Sequence, residues 1–153
     1  MPRVSTDRGA VMRIADILRN KGNSIVTIDA HTTVNGLLCD LARHNIGAMV
    51  VVDDDAVVGI ISERDVVRRL HERGPDLLGI QVSEVMTALM YTCVPADAVD
   101  SIAAIMTERR IRHLPVIEDG NLLGIVSIGD VVKSRIDELK SERDQLESYI
   151  DQG

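Results

Sequence analysis

A hydroxyl and a carboxylate stand three residues apart at two places in the chain, each time directly after a short apolar run. The two segments are GIISERD, which contains Ser62 and Asp65, and GIVSIGD, which contains Ser127 and Asp130. Each pattern predicts a strand that runs into a helix, with the serine at the junction. Backbone N–H groups and the positive end of the helix dipole converge at such a junction and suit a phosphate. The aspartate would accept hydrogen bonds from both hydroxyls of a ribose, so the segments predict a sugar-phosphate site.

The same Ser-x-x-Asp spacing also fits a capping box, in which both side chains only satisfy the amides of their own helix. Both copies have aspartate where the box more often has glutamate, and both have a glycine, Gly59 or Gly124, ahead of the serine. A glycine would let a ligand approach the backbone closely. These features favour a ligand site, with capping as the alternative reading.

The two segments belong to a longer internal repeat with a constant offset. Thr27 precedes Thr92 by 65 residues, and Asp65 precedes Asp130 by the same number. The register holds without a gap between these positions. The chain therefore contains two copies of one structural unit.

Each copy has the same order of predicted elements. An amphipathic helix comes first, because apolar residues recur at i, i+3, i+4 and i+7. Two apolar runs joined by an acidic or glycine turn predict adjacent strands, and a second helix starts near each serine. IADIL and VSEVM are helical lead-ins to the two copies. The predicted buried stripes are Val34, Leu37, Leu38 and Leu41 in the first copy and Val99, Ile102, Ala103 and Met106 in the second.

The predicted fold class is α/β (α+β), with two pseudo-symmetric units of short strand-helix-strand-strand-helix that pack through their sheets. One unit cannot cover its own apolar sheet face, so the two should pack about a pseudo-twofold axis. The first domain is assigned to residues 11–73, the second to 80–136 and a C-terminal helical extension to 137–153. HERGPDLLGIQ is the linker between the domains.

Composition excludes several classes of function. The chain of 153 residues has a net charge of −7, which argues against nucleic acid as the main partner because phosphate binding needs a basic face. We expect no membrane partner and a cytoplasmic location, since no signal peptide or apolar span is apparent. Cys39 and Cys93 lack metal-ligand spacing and are interpreted as reduced core residues.

The paired units resemble tandem cystathionine-β-synthase-type (CBS) domains over roughly residues 11–136, because the G-h-h-S-x-x-D motif and its preceding strands occur twice. The resemblance implies a stand-alone regulatory module rather than an enzyme. It implies a cleft between the units for up to two adenosine ligands, with AMP foremost and ATP, ADP, NAD(H) or S-adenosylmethionine as the others. A homodimer and an unidentified effector protein are the implied protein partners.

The resemblance also assigns site residues, position by position. Asp65 and Asp130 match the ribose-binding aspartate, and Ser62 and Ser127 match the hydroxyl beside it. The remaining implied nucleotide-binding residues are Thr27, Ile46, Gly47, Ala48, Arg64, Thr92, Ile111, Arg112, His113, Leu114 and Pro115.

The two predicted sites differ in charge. Arg64 in the first motif corresponds to Gly129 in the second, so we expect one better anionic site rather than two equal ones. For Arg112 a role in the site and a solvated helix end are both open, whereas Arg109 and Arg110 are interpreted as a solvated helix end, where cations favour the dipole. No Cys, His or acidic residue recurs at metal-ligand spacing around His113, so no metal is predicted.

The C-terminal segment continues the last helix with apolar residues at alternating spacings of four and three. This is a heptad seam of under three repeats, interrupted at Arg143. The seam would join two chains, or the helix would lie on its own domain. A purely structural dimerisation module with an empty cleft is the alternative function. The seam residues are Val132, Ile136, Leu139, Leu146 and Ile150.

Overall fold

The computed structural model describes residues 11–22 and 25–152, and both repeats form the predicted helices and hairpins. The first unit begins with a short strand and a helix and ends with a hairpin and a second helix. Its elements are β1 (Thr27–Asp29), α2 (Val34–His44), β2 (Ala48–Asp53), β3 (Ala56–Ser62) and α3 (Glu63–Arg73), preceded by the lead-in helix α1 (Ile14–Lys21).

The second unit repeats this order after a single 3₁₀ turn over Gly74–Gly79. Its initial strand is reduced to one isolated bridge between Cys93 and Val116. The remaining elements are the lead-in helix α4 (Val82–Val85), β4 (Thr87–Ala88), α5 (Val99–Arg109), β5 (His113–Glu118), β6 (Asn121–Ser127) and α6 (Ile128–Asp151).

Each unit is built on one antiparallel hairpin. In the first unit β1 adds parallel to β2 and β4 adds antiparallel to β3, which gives the order β1-β2-β3-β4. In the second unit β5 and β6 form a two-stranded sheet. The prediction of an α/β fold with two related units is confirmed.

Both hairpins turn through two residues in the left-handed region. Asp54 and Asp55 have φ of 47° and 66°, and Asp119 and Gly120 have φ of 52° and 77°. Two successive positive φ angles match the right-handed twist of the strands, and aspartate and glycine tolerate that region best. The acidic turns seen in the sequence therefore set the register of each hairpin.

Two separate apolar cores lie under the hairpins, and the predicted helix stripes supply much of both. Leu37 and Ile102 are almost fully buried, and Leu77 of the 3₁₀ turn fills the first core. Leu38 was predicted to be in the stripe but lies at its edge and is 36% exposed. The interpretation of both cysteines as core residues was wrong for Cys39, which is exposed on the outer face of α2, whereas Cys93 is buried.

Each lead-in helix packs on the other unit rather than on the unit that directly follows it in the chain. Ile14 and Ile17 of α1 belong to the core of the second unit, and the Ile14 N–H donates to the Asp97 carbonyl at 2.9 Å. Val82 of α4 belongs to the core of the first unit, and the Val34 N–H donates to the Ile80 carbonyl at 2.9 Å. Each unit is thus completed by the lead-in to the other copy.

This exchange explains the repeated glycine, which we had expected to admit a ligand. A Cβ on Gly59 would lie 2.6 Å from the Thr87 carbonyl oxygen and 2.8 Å from Met86 Sδ. A Cβ on Gly124 would lie 2.8 Å from Leu18 Cδ2. The ligand interpretation of these glycines was wrong, because the lead-in segments occupy that space.

The last helix, α6, runs on past the body of its unit. Val131 and Ser134 are buried, but every described residue from 139 to 152 is exposed. The alternative in which this helix lies on its own domain is therefore not what the structure shows. Among the described residues, no helix combines the length and the apolar character that crossing a bilayer requires.

Candidate functional site

The two strand-to-helix corners share the same two hydrogen bonds between backbone and side chain. The Asp65 N–H donates to Ser62 Oγ at 3.3 Å, and the Ser62 N–H donates to Asp65 Oδ2 at 2.9 Å. In the second copy the Asp130 N–H donates to Ser127 Oγ at 3.1 Å, and the Ser127 N–H donates to Asp130 Oδ2 at 2.8 Å. Both corners are capping boxes, so each aspartate has one oxygen engaged by its own helix.

A further backbone hydrogen bond connects each corner to the residue just before the first strand of its hairpin. The Glu63 N–H donates to the Gly47 carbonyl at 2.9 Å, and the Ile128 N–H donates to the Arg112 carbonyl at 2.8 Å. These bonds engage the first helical N–H group of α3 and of α6, and the capping serines engage the third. The second helical residues, Arg64 and Gly129, line the space between the two units.

A cleft of about 1050 Å³ opens between the units and is large enough for a nucleotide-sized ligand. Its walls come from both corners, from the segment after α4 and from the segment between α5 and β5. The lining residues are Gly47, Ile60, Ser62, Glu63, Arg64, Asp65, Val67, Arg68, Thr87, Ala88, Leu89, Met90, Tyr91, Arg109, Arg110, Ile111, Arg112, His113, Leu114, Ser127, Ile128 and Gly129.

The cleft is basic although the chain is acidic. Five arginines and His113 line it, together with two carboxylates, those of Glu63 and Asp65. The Arg109 guanidinium carbon lies 5.7 Å from the centroid of the Tyr91 ring, which is a cation–π contact. Clustered guanidinium groups attract anions and match the geometry of phosphate oxygens.

Asp65 presents a second carboxylate oxygen, outside the capping box, to a hydroxyl in this cleft. Its Oδ2 belongs to the capping box, while Oδ1 accepts a hydrogen bond from Thr87 Oγ1 at 3.4 Å. That bond is long, and both residues line the cleft. The pair can exchange it for hydrogen bonds to the hydroxyls of a sugar.

Asp130 has a different partner and is absent from the lining of this cleft. Lys21 Nζ of α1 donates to Asp130 Oδ2 at 2.8 Å and to the Ile125 carbonyl at 2.9 Å. Burial alone would raise the pKa of Asp130, but hydrogen bonds from Lys21 and Ser127 hold that pKa below its usual range. Asp130 at the second corner is thus paired with a charged lysine, whereas Asp65 at the first corner is paired with a threonine hydroxyl.

His113 begins β5 at the cleft wall and is half-buried. Burial and the neighbouring Arg112 and Lys21 charges lower the pKa of His113 below its ordinary value. The neutral imidazole is therefore favoured in the absence of an anion.

The structure gathers part of the predicted site in one place. Nine of the fifteen residues assigned to the site line the cleft, namely Gly47, Ser62, Arg64, Asp65, Ile111, Arg112, His113, Leu114 and Ser127. The other six, Thr27, Ile46, Ala48, Thr92, Pro115 and Asp130, lie outside its lining. Ala48 and Pro115 are buried in the hairpins, and Ile46 packs on the first core.

Three cleft arginines and the segment from Thr87 to Tyr91 were not predicted as site residues. Arg68 stands one turn after Arg64, so it shares a helix face with it. Arg109 and Arg110 were interpreted as a solvated helix end, but they line the cleft. Their adjacency to the predicted stretch around Arg112 was a usable signal. The segment after α4 could not be identified, because the sequence does not show which unit a lead-in contacts.

Comparison with known proteins defines the family. The CBS domain model matches residues 14–72 and 82–137. The chain therefore belongs to the CBS domain family and carries two CBS domains in tandem. It is 36% identical over 149 residues to the mitochondrial CBS domain-containing protein CBSX3 of Arabidopsis thaliana, and this match covers 92% of the chain and 72% of that relative.

Solved structures agree with this assignment. The CBS-domain containing protein ATU1752 of Agrobacterium tumefaciens superposes with a TM-score of 0.78 at 41% identity, covering 81% of this chain and 99% of that one. The CBS domain pair of the protein MJ0100, solved in complex with 5′-methylthioadenosine and S-adenosyl-L-methionine, superposes with a TM-score of 0.70 at 26% identity, covering 80% and 98%.

Proposed function

We propose that the protein is a non-catalytic regulatory module that binds an adenine nucleotide, AMP foremost, in the cleft between its two CBS domains. The observation that carries the proposal is the concentration of five arginines with both strand-to-helix corners in one cleft of an acidic chain. A neutral ligand would not need this charge. The MJ0100 domain pair, which holds adenosine compounds, supports the choice of an adenosine ligand.

The lining divides by chemistry in a way that suits the three parts of a nucleotide. Asp65 and Thr87 supply a carboxylate and a hydroxyl for the ribose. Ile60, Leu89 and Leu114 are apolar lining residues that suit the faces of a base. The arginines would neutralise the phosphates, so ADP, ATP and NAD(H) are the ligands that compete with AMP. The positively charged sulfur of S-adenosylmethionine disfavours that ligand beside the arginines.

The corner at Asp130 would be a second and weaker site. A ribose there must compete with Lys21 for the carboxylate, since Nζ lies 2.8 Å from Oδ2. Gly129 also stands where the first corner has Arg64, and the Lys21 ammonium at the second corner is already paired with Asp130. We therefore expect unequal sites.

Regulation requires that the ligand prefers one arrangement of the two domains. The cleft lies between the domains, so its occupancy would bias their relative position. An effector protein, or a second copy of the chain, would read that change. The alternative is a structural dimerisation module with an empty cleft, which the exposed extension of α6 favours.

Isothermal titration calorimetry with AMP, ADP, ATP, NAD(H) and S-adenosylmethionine tests the proposal. We expect Asp65→Ala to weaken the tightest ligand by roughly 10- to 100-fold, because a hydrogen bond to a charged group contributes about 1.5–3 kcal/mol. Asp130→Ala is the matched control, since it removes the same helix cap from the second corner. We expect the control to keep the tight phase within about twofold of the parent.

Absence of binding heat with all five ligands would contradict the proposal and favour the structural module. Equal loss of affinity in both variants would show that the effect comes from helix capping rather than from contact with the sugar. Both variants should be checked by circular dichroism, so that unfolding is not mistaken for lost binding.

A further inference from the structure

The projecting part of α6 carries an apolar stripe that no described residue of the same chain covers. Ile136, Leu139, Leu146 and Ile150 are 46%, 52%, 65% and 73% exposed. With Arg143 in the middle they follow the spacing 3-4-3-4, which places all five on one side of the helix. We call this set the tail stripe. A helix this short associates weakly alone, but here it is continuous with a packed helix.

We propose that the tail stripe pairs with that of a second copy of this chain, and that the two helices run antiparallel. The proposal follows from the charges beside the stripe. In a two-helix coil these flanking residues meet across the interface, and which of them meet depends on the direction of the helices.

A parallel pair would bring like charges together at both flanking contacts. Arg135 would meet the partner's Lys140, and Glu142 would meet the partner's Glu147. Arg143 would also face the partner's Arg143 in the core. Each of these contacts is repulsive, so the parallel arrangement is disfavoured.

An antiparallel pair relieves all three conflicts in one register. If Leu139 lies opposite the partner's Ile150, then Arg143 lies opposite the partner's Leu146. Lys140 then flanks the partner's Glu147, and symmetry forms this contact twice. Shifting the register by one heptad would instead bring Lys140 against the partner's Lys140, so the charges select this register.

The same register also fits the body of the protein. It places residue 152 of one chain opposite residue 137 of the other, just beyond the point where α6 leaves its unit at the buried Ser134. The two bodies therefore stand at opposite ends of the helix pair. The register displaced by one heptad towards the body would carry the partner's helix end to residue 130, which lies against α1.

Sedimentation equilibrium on the full chain tests the pairing through two charge reversals. Lys140→Glu and Glu147→Lys each create two like-charge contacts in the antiparallel register, so each should weaken self-association by roughly tenfold. The double variant restores both contacts and should associate like the parent. An equimolar mixture of the single variants should also regain parental affinity, since opposite charges meet in the mixed dimer.

Ser141→Glu and Ser148→Lys are the matched controls, because each introduces the same charged residue one position along the helix from Lys140 or Glu147, on the side away from the tail stripe, and should leave association unchanged. Tighter association of both single variants would indicate parallel helices and overturn the proposal. Association that is absent in the parent, or equal in all variants, would overturn it as well. None of these readouts depends on nucleotide, so this proposal and the proposed function can fail separately.

Discussion

Asp65 can serve both its structural role and the proposed binding role, because its two carboxylate oxygens have different partners. Oδ2 caps α3 through the Ser62 N–H, and Oδ1 points to the Thr87 hydroxyl in the cleft. Capping and ligand binding were competing interpretations of the same spacing in the sequence. At the first corner they are compatible, since holding one oxygen in the cap orients the other towards the cleft.

His113 should make nucleotide binding depend on pH. Its pKa is lowered in the free protein, which favours the neutral imidazole. An anionic phosphate nearby would favour the imidazolium and raise that pKa, which couples binding to proton uptake. We expect affinity to rise as the pH falls below about 7, by up to roughly tenfold for each unit that binding raises the pKa.

Titration calorimetry of the parent and of His113→Asn across this pH range measures the effect. The ratio of the two dissociation constants removes the titration of the phosphate itself. A ratio that stays constant with pH would show that His113 does not sense the ligand.

The two cysteines should differ sharply in reactivity. Burial, with a smaller contribution from Asp97, raises the pKa of Cys93 to about 12, so almost no thiolate exists at pH 8. Cys39 is exposed on α2. Mass spectrometry after iodoacetamide treatment should show one modified cysteine, Cys39, in the native protein and two after denaturation. Rapid native modification of Cys93 would contradict the packing of the second core.

The exchange of the lead-in helices is the decisive feature at the level of elements. Ile14 of α1 is fully buried in the second core, although 78 residues separate it from Thr92 at the start of that unit's repeat. The glycines at 59 and 124 are the complementary adaptation, since each leaves room for the incoming segment. Helix and receiving strand are therefore fitted to each other across the two halves.

We expect Ile14→Ala to destabilise the protein by about 2–4 kcal/mol, the usual result of truncating a fully buried isoleucine. Val132→Ala is the control, because Val132 is 51% exposed and its truncation should cost less than about 1 kcal/mol. Urea unfolding followed by circular dichroism measures both. Equal effects of the two substitutions would mean that α1 is not part of the second core.

The sequence was sufficient for the main helices and hairpins and insufficient for their partners. Apolar periodicity located α2 and α5, and the acidic turns located both hairpins, because these signals depend on neighbouring residues only. The exchange of α1 and α4 depends on which surface each helix covers, and periodicity carries no such information. The same gap hid Thr87, whose place in the cleft follows from that exchange.

At the scale of the whole molecule, the two halves share their cores and one cleft. Each core includes a helix from the lead-in of the other copy, so neither half is complete by itself. The cleft is likewise lined by both units. Stability is therefore a property of the pair, and the proposed binding would be one as well.

We expect the two domains to unfold in one cooperative transition. Differential scanning calorimetry should give a calorimetric enthalpy equal to the van't Hoff enthalpy, since loss of either unit removes a core helix from the other. A nucleotide at 100 times its dissociation constant should stabilise this single transition by about 2.7 kcal/mol. Two resolved peaks in the absence of ligand would contradict the coupling.

During synthesis on the ribosome, the two exchanged helices differ in how long they exist before their binding surfaces are complete. The first unit can close once residues 82–85 have emerged, soon after its own last helix at Glu63–Arg73. The α1 helix is made before every other described element, yet its binding surface includes β6 at Asn121–Ser127. At about 5–20 residues per second, this nascent helix stays without its partner for several seconds. During that interval neighbouring chains on one polysome would compete for it, so translation speed would influence the yield of correctly closed protein.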